Sequence, residues 1–204
     1  GSLPVGISLS SAGVLSGSSS VAGVYSFTVS ATDSLNNTVS KAFSFKVVTP
    51  VSVSSSVPAG QTGGLYSGSV SASGGFGGFS YSVVDGVLPA GVSLSSAGVF
   101  SGVPSAEGIR TVTVRAVDQY GFSSDLAVTL RIFVPVSVSV SKVLDGSVGS
   151  SYSGSVSASG GGDGFKYSVG SGSLPPGVSL ASNGVLSGTP SSAGSFSFTV
   201  RAVD

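Results

Sequence analysis

A nine-residue string, Ser-Gly-Ser-Val-Ser-Ala-Ser-Gly-Gly, occupies residues 67–75 and returns letter for letter at residues 153–161. Other matches fall in the same register. Leu3-Pro4-Val5-Gly6 returns as Leu88-Pro89-Ala90-Gly91 and Leu174-Pro175-Pro176-Gly177, displaced by 85 and then 86 residues. Gly13-Val14-Leu15-Ser16-Gly17 returns at residues 98–102 and 184–188, Ala31-Thr32-Asp33 at residues 116–118 and 202–204, and Pro50 at Pro135. Self-similarity at a fixed period means that one structural unit is repeated along the chain. With the two prolines as boundaries, residues 50–134 form one complete unit. Residues 1–49 are then the C-terminal part of a preceding unit, and residues 135–204 a unit lacking its last strand. Two explanations fit the incomplete end units: a stretch of a longer array, or a subunit whose end units are completed by neighbouring chains through strand addition.

Within each unit the apolar residues alternate with polar ones. Tyr25/Arg110/Phe196, Phe27/Val112/Phe198, Val29/Val114/Val200 and Ala31/Ala116/Ala202 share one face of a segment whose other face carries Ser26/Thr111/Ser197, Thr28/Thr113/Thr199 and Ser30/Arg115/Arg201. This is the period of a strand with one buried face. Arg110 breaks the apolar rule, but at a strand start its stem can cover the core edge while the guanidinium stays wet. The next segment turns Phe43/Val128, Phe45/Leu130 and Val47/Ile132 inward and runs straight into the boundary proline. Tyr66, Gly68, Val70 and Ala72 alternate with serines, as do Phe79, Tyr81 and Val83. Glycine- and proline-marked turns recur every 8–12 residues or so, and no stretch has helical apolar spacing with caps. About seven short strands in some 85 residues predict an all-β chain of tandem immunoglobulin-like sandwiches. Phe79, Tyr81, Leu94, Val112, Val114, Val128, Leu130 and Ile132 are the expected core of the complete unit.

The composition removes most chemistry. Gly and Ser together supply 82 of 204 residues, yet 40% of the chain is hydrophobic, 34 residues are Val and the mean hydropathy is +0.50, so disorder is not expected. Cys, His, Met and Trp are all missing. Disulfides, thiolate or imidazole metal ligands, and Ser/His or Cys/His nucleophile pairs are therefore excluded. Eight Lys/Arg balance eight Asp/Glu, which leaves no cationic cluster for a nucleic acid. No apolar run reaches the roughly 18–20 residues that a helical membrane span needs. Neither end shows a signal peptide, which says little for a chain that begins inside a unit.

The strings Leu-Pro-Pro-Gly-Val-Ser-Leu, Gly-Val-Leu-Ser-Gly-Thr-Pro and Ser-Phe-Thr-Val-Arg-Ala-Val-Asp within residues 174–204 resemble the bacterial "putative Ig" repeats, relatives of cadherin-like, dystroglycan-type domains. The likeness runs along the whole chain in three copies. It implies an immunoglobulin-like sandwich and a place in long secreted or surface-anchored proteins, and its motif marks fold residues rather than an active site. Cadherin-like relatives often hold calcium between domains. Here only Asp33, Asp118 and Asp204 fall at the corresponding strand end, which is thin for a cation that takes six to eight oxygens. An Asx-turn ending the strand is the expectation, with no metal and no cofactor.

Other constellations are equally sparse. A Lys to Asn isopeptide cross-link cannot form inside residues 51–134, which contain neither residue type. The glycine-rich stretches 74–78 and 160–164 lack the Lys-Ser/Thr pair of a phosphate loop and read as hairpin turns. Asp85, Glu107, Asp118 and Asp125 are the acids available for paired-carboxylate hydrolysis, and Glu107 is replaced by Ala22 and Ala193 in the other copies. No catalytic residue emerges and no enzyme is expected. Tyr66, Phe79 and Tyr81 alternate with serine and face inward, whereas Phe76, Tyr120 and Phe122 lie in turns and are the better candidates for exposed contacts.

The outward faces are mostly Ser, Thr and Gly where a solvated monomer ordinarily carries charge. Such faces fit packing against other copies in a fibre, hydroxyls capped by glycans, or a secreted stalk under relaxed surface selection. The junctions, residues 47–53 and 132–138, pass from last strand to next first strand without slack, and each proline stiffens the hinge. The expected function is a semi-rigid extracellular or cell-surface rod, an adhesin stalk or filament building block, whose partners are neighbouring repeats and other copies of itself. The alternative is a module binding carbohydrate or a solid surface through Phe76 and Tyr120.

Overall fold

The computed structural model describes residues 1–162 and 164–204 and is all-β, with no helix among them. The first unit consists of two hairpins: β1 (Ile7–Leu9) with β2 (Leu15–Gly17), and β3 (Gly23–Thr32) with β4 (Thr38–Val47). The middle unit contains β5 (Ser52–Ser56), β6 (Gly60–Gln61), β7 (Tyr66–Ser73), β8 (Ser80–Asp85), β9 (Val92–Leu94), β10 (Val99–Gly102), β11 (Gly108–Val117) and β12 (Ser123–Phe133). The third contains β13 (Ser137–Lys142), β14 (Tyr152–Ser159), β15 (Lys166–Gly172), β16 (Val178–Leu180), β17 (Val185–Gly188) and β18 (Phe198–Val203).

Two four-stranded sheets form the middle unit, in the orders β5-β7-β10-β9 and β6-β12-β11-β8. Alternation dictates how they face each other. The ten antiparallel pairs of β11 with β12 set Val112 opposite Val128 and Arg110 opposite Leu130, so the apolar residues of both strands point to the same side. Val112, Val114, Val128, Leu130 and Ile132 meet Tyr66, Val70, Val92 and Phe100 from the other sheet, and all nine are buried. Eight strands are present rather than about seven. The extra one, β6, is two residues long and pairs parallel with Ile132 and Phe133, which tucks Gly60 beneath the Tyr66 ring and Ile132.

The observed core departs from the expected list: Tyr66, Val70, Val92 and Phe100 belong to it, and three expected residues do not. Phe100 is fully buried, whereas Phe79, Tyr81 and Leu94 are half-buried at its margin. Phe100 sits in the Gly-Val-Phe-Ser-Gly motif, and β10 places it between β7 and β9. The motif glycine that follows is a close-approach residue. A Cβ on Gly102 would lie 1.9 Å from the Gly91 carbonyl oxygen, so the Leu-Pro-Ala-Gly turn and the Gly-Val-Phe-Ser-Gly strand can pack only without side chains at that point. Arg110 is exposed at the start of β11, as its position predicts.

The outer faces carry hydroxyls that pair across strands: Ser30 with Ser40 at 2.7 Å, Ser54 with Ser71 at 2.9 Å, Thr111 with Thr129 at 2.9 Å and Ser171 with Thr199 at 2.8 Å. In the third unit β13-β14-β17-β16 form one sheet and β15-β18 the other. A cleft of about 600 Å³, lined among others by Tyr152, Leu186, Phe196 and Phe198, opens beside the smaller sheet. In the first unit Phe43 and Phe45 are 44% and 41% exposed, whereas their counterparts Val128 and Leu130 are buried, and Phe27, opposite Phe43, is 7% exposed.

Candidate functional site

The aspartates that follow β3, β11 and β18, Asp33, Asp118 and Asp204, anchor turns at the ends of those strands. Asp118, directly after β11, is 5% exposed. Its Oδ1 accepts the backbone N–H of Tyr120 (2.9 Å) and Phe122 (3.0 Å), and its Oδ2 accepts the backbone N–H of Phe76 (2.9 Å), which belongs to the turn between β7 and β8. The carboxylate thus makes the expected Asx-turn and also ties two turns together. Burial pushes its pKa up, but the amides of Phe76, Tyr120, Phe122 and Gly121 outweigh this and hold it below the ordinary Asp value.

The same carboxylate backs the joint to the preceding unit. Gly75 donates its N–H to the carbonyl of Thr49 at 2.8 Å. A Cβ on Gly74 would lie 2.1 Å from the Pro50 carbonyl oxygen, and one on Gly75 would lie 2.6 Å from Asp118 Oδ2 and 2.9 Å from a Val51 methyl. Both glycines have positive φ, 78° and 52°. The linker backbone therefore rests directly on a side-chain-free turn, clamped from the other side by Asp118.

The second joint is built in the same way. Gly161 donates to the Val134 carbonyl at 2.7 Å, Gly162 donates to Asp204 Oδ2 at 2.7 Å, and a Cβ on Gly160 would lie 2.2 Å from the Pro135 carbonyl oxygen. In the first unit Asp33 makes only the local part of the pattern, accepting from the backbone of Leu35 and from the backbone and side chain of Asn37. The Asn37 side chain leads the causes that hold its pKa low.

At the first joint the clamp gathers aromatic rings. The three residues whose amides bind Asp118 are Phe76, Tyr120 and Phe122. Phe76 stacks edge-on with Tyr120 at 4.6 Å between centroids and lies at 5.9 Å from Phe122. Lys46 of β4 places its Nζ 5.2 Å from the Phe76 ring centroid, and Gln119 Nε2 donates to the Phe76 carbonyl at 3.1 Å. Tyr120 and Phe122 remain 68% and 58% exposed. The sequence singles out these rings as turn residues open to contact, and the structure brings them into one cluster. Tyr66 goes inward, its hydroxyl donating to the Pro58 carbonyl at 3.1 Å, and burial pushes its pKa up.

The acids do not converge. Glu107 and Asp118 flank opposite ends of β11, about 35 Å apart by strand rise. Asp85 lies opposite Thr113 near the middle of that strand. Asp125 is held by Arg115, with two contacts of 2.7 Å on the outer face. Paired-carboxylate hydrolysis needs two acids within about 10 Å across a cleft, and these four residues do not supply that arrangement. Among the described residues no three acidic side chains cluster as metal ligands, and both Asp118 oxygens are committed to amides.

Several solved extracellular structures align with this chain at low identity and low TM-score. Drosophila OTK extracellular domains 3–5 align with 97% of this chain and 75% of that one, at 13% identity and a TM-score of 0.46. The protocadherin GammaB4 extracellular domain aligns with 84% of this chain and 34% of that one, at 18% identity and a TM-score of 0.38. Protocadherin Gamma B7 extracellular cadherin domains 1–4 align with 97% and 63%, at 14% identity and a TM-score of 0.39. This chain thus spans three quarters of the first of these structures and about a third of the second. No curated protein matches it. The family described as "Putative Ig domain" matches residues 1–48, 49–133 and 134–204: with repeat period, sandwich topology and motif glycines in agreement, the chain belongs to that family, in three tandem copies.

Proposed function

We propose that this chain is a structural segment of an extracellular repeat array, whose work is to hold distance as the stalk of a surface adhesin or as part of a surface filament. The observation that carries the reading is the joint. A linker carbonyl bonded to a Gly-Gly turn, with a strand-end aspartate behind it, occurs at both boundaries. Two backbone contacts per joint and a proline leave little freedom for one unit to swing on the next. We place the unit boundaries at 49/50 and 134/135, a reading that the prolines and these contacts support.

The hydroxyl-paired outer faces support lateral packing in the filament version. Each cross-strand pair satisfies one donor within the chain, which lowers the cost of removing that face from water. Electron microscopy of the native full-length protein tests the proposal: stiff rods or bundled fibres support it, and collapsed particles contradict it. A second reading, contact with a surface or a carbohydrate, is favoured by the exposed Tyr120 and Phe122 rings gathered against the half-buried Phe76. Such contact and the rod role are compatible.

A further inference from the structure

We infer that the Phe76, Tyr120 and Phe122 cluster, together with Lys46, is a binding site for a uronate-bearing polysaccharide. The inference rests on the contact reading above and not on the rod reading.

Four observations carry it. First, the rings are dispensable to the fold. The positions equivalent to Tyr120, Gly121 and Phe122 in the first unit are Leu35, Asn36 and Asn37, and the position equivalent to Phe76 in the third is Gly162, yet the strand-end aspartate still binds amides there. Asn36 even adopts the left-handed conformation of Gly121, with φ of 66° against 89°. Second, the cluster is pre-organised, because the buried Asp118 carboxylate holds the backbone of all three aromatic residues. A ligand meeting it does not have to order those turns.

Third, the polar groups at its rim are donors. Lys46 has no carboxylate partner among the described residues, where the one ion pair joins Arg115 to Asp125. Gln119 Nε2 spends one N–H on the Phe76 carbonyl and keeps a second, and the nearby carboxylate, Asp118, is buried with its oxygens occupied. A ligand with apolar faces and an anionic acceptor complements this set. Fourth, the patch is small. Tyr120 and Phe122 at 68% and 58% exposure, with the half-buried Phe76, offer on the order of 300 Å², well under the roughly 800 Å² per partner of a stable protein interface. One or two pyranose rings match that footprint, their axial C–H groups stacking on Tyr120 and Phe122 while a ring carboxylate meets Lys46 Nζ.

The test is binding of the chain to immobilised alginate, a polyuronate, and to neutral hydroxyethylcellulose at physiological salt. The paired substitution Tyr120→Leu with Phe122→Asn installs the loop residues of the first unit and so keeps a turn that this fold already accepts. The expected result is alginate binding by the parent chain, at least about tenfold weaker binding by the paired variant at an unchanged melting midpoint, and loss of the preference for alginate in Lys46→Gln. Equal binding of the two polymers by the parent chain overturns the uronate assignment while leaving surface contact standing. Binding to neither polymer, or undiminished binding by the paired variant, overturns the site. Concentration-dependent association of the parent chain that the paired variant abolishes overturns it in favour of a second copy as occupant.

Discussion

Replacing Gly74 and Gly77 in turn by alanine separates two costs that a glycine-rich turn usually confounds. Both residues have left-handed backbone, with φ of 78° and 79°. Each Gly→Ala change therefore pays the same conformational penalty, about 1–2 kcal/mol for an L-residue in that region. Around Gly77 the space is open, with no atom within 4 Å of an added Cβ, whereas at Gly74 that Cβ would lie 2.1 Å from the carbonyl oxygen of Pro50.

In the Gly74 variant the linker backbone must then retreat by about 1 Å to reach ordinary contact distance. The Gly75 N–H to Thr49 carbonyl bond, 2.8 Å long, stretches with it. Overpacking of this kind adds about 1–3 kcal/mol. Gly77→Ala should therefore lose about 1–2 kcal/mol and Gly74→Ala about 2–5 kcal/mol. Urea unfolding followed by circular dichroism at constant m-value reads the difference, and small-angle scattering reads the joint, which should loosen in Gly74→Ala alone. Equal losses for the two variants, with unchanged scattering, would refute the claim that the linker is seated on this turn.

The same fold implies three further outcomes. Leu130→Ala, at a fully buried position, should cost about 2–5 kcal/mol in the same urea assay, and Phe100→Ala about 3–5 kcal/mol. Because the folded-state pKa of Asp118 is lowered, its contribution to stability is full above the ordinary Asp value of 3.8 and is lost as pH falls through the lowered one. An acid titration of the melting midpoint should accordingly be flatter for Asp118→Asn than for the parent chain, and parallel curves would count against the clamp. Since its carboxylate is already committed to amides, adding calcium or a chelator should leave the midpoint unchanged in a thermal scan. A calcium-dependent rise would show that the strand-end aspartates can be recruited to a metal.

The strands were legible wherever period-two alternation recurs in register. β3, β11 and β18 place Phe27, Val112 and Phe198 on the same inward face three times over, and three copies make the pattern hard to mistake. Phe100 was less visible because its motif is flanked by glycines that read as turn residues, although the strand between them carries the largest fully buried side chain in the unit. The Asx-turn at Asp118 could be read locally, from Tyr120 two residues on. Its bond to Phe76 spans 42 residues and depends on how the β7–β8 turn lies against the β11–β12 turn, which no local pattern encodes. The convergence of Phe76, Tyr120 and Phe122 was hidden for the same reason, and Lys46 reaches them across the joint from another unit.

Small-angle scattering of the chain in dilute solution addresses the spacer role most directly. Sandwiches joined end to end, each adding about 30–40 Å, correspond to a radius of gyration of about 25 Å, whereas a compact globule of this length would give about 17 Å. A value near 25 Å with a rod-like profile is the predicted result. A value near 17 Å would mean that the units fold back on one another and hold no distance.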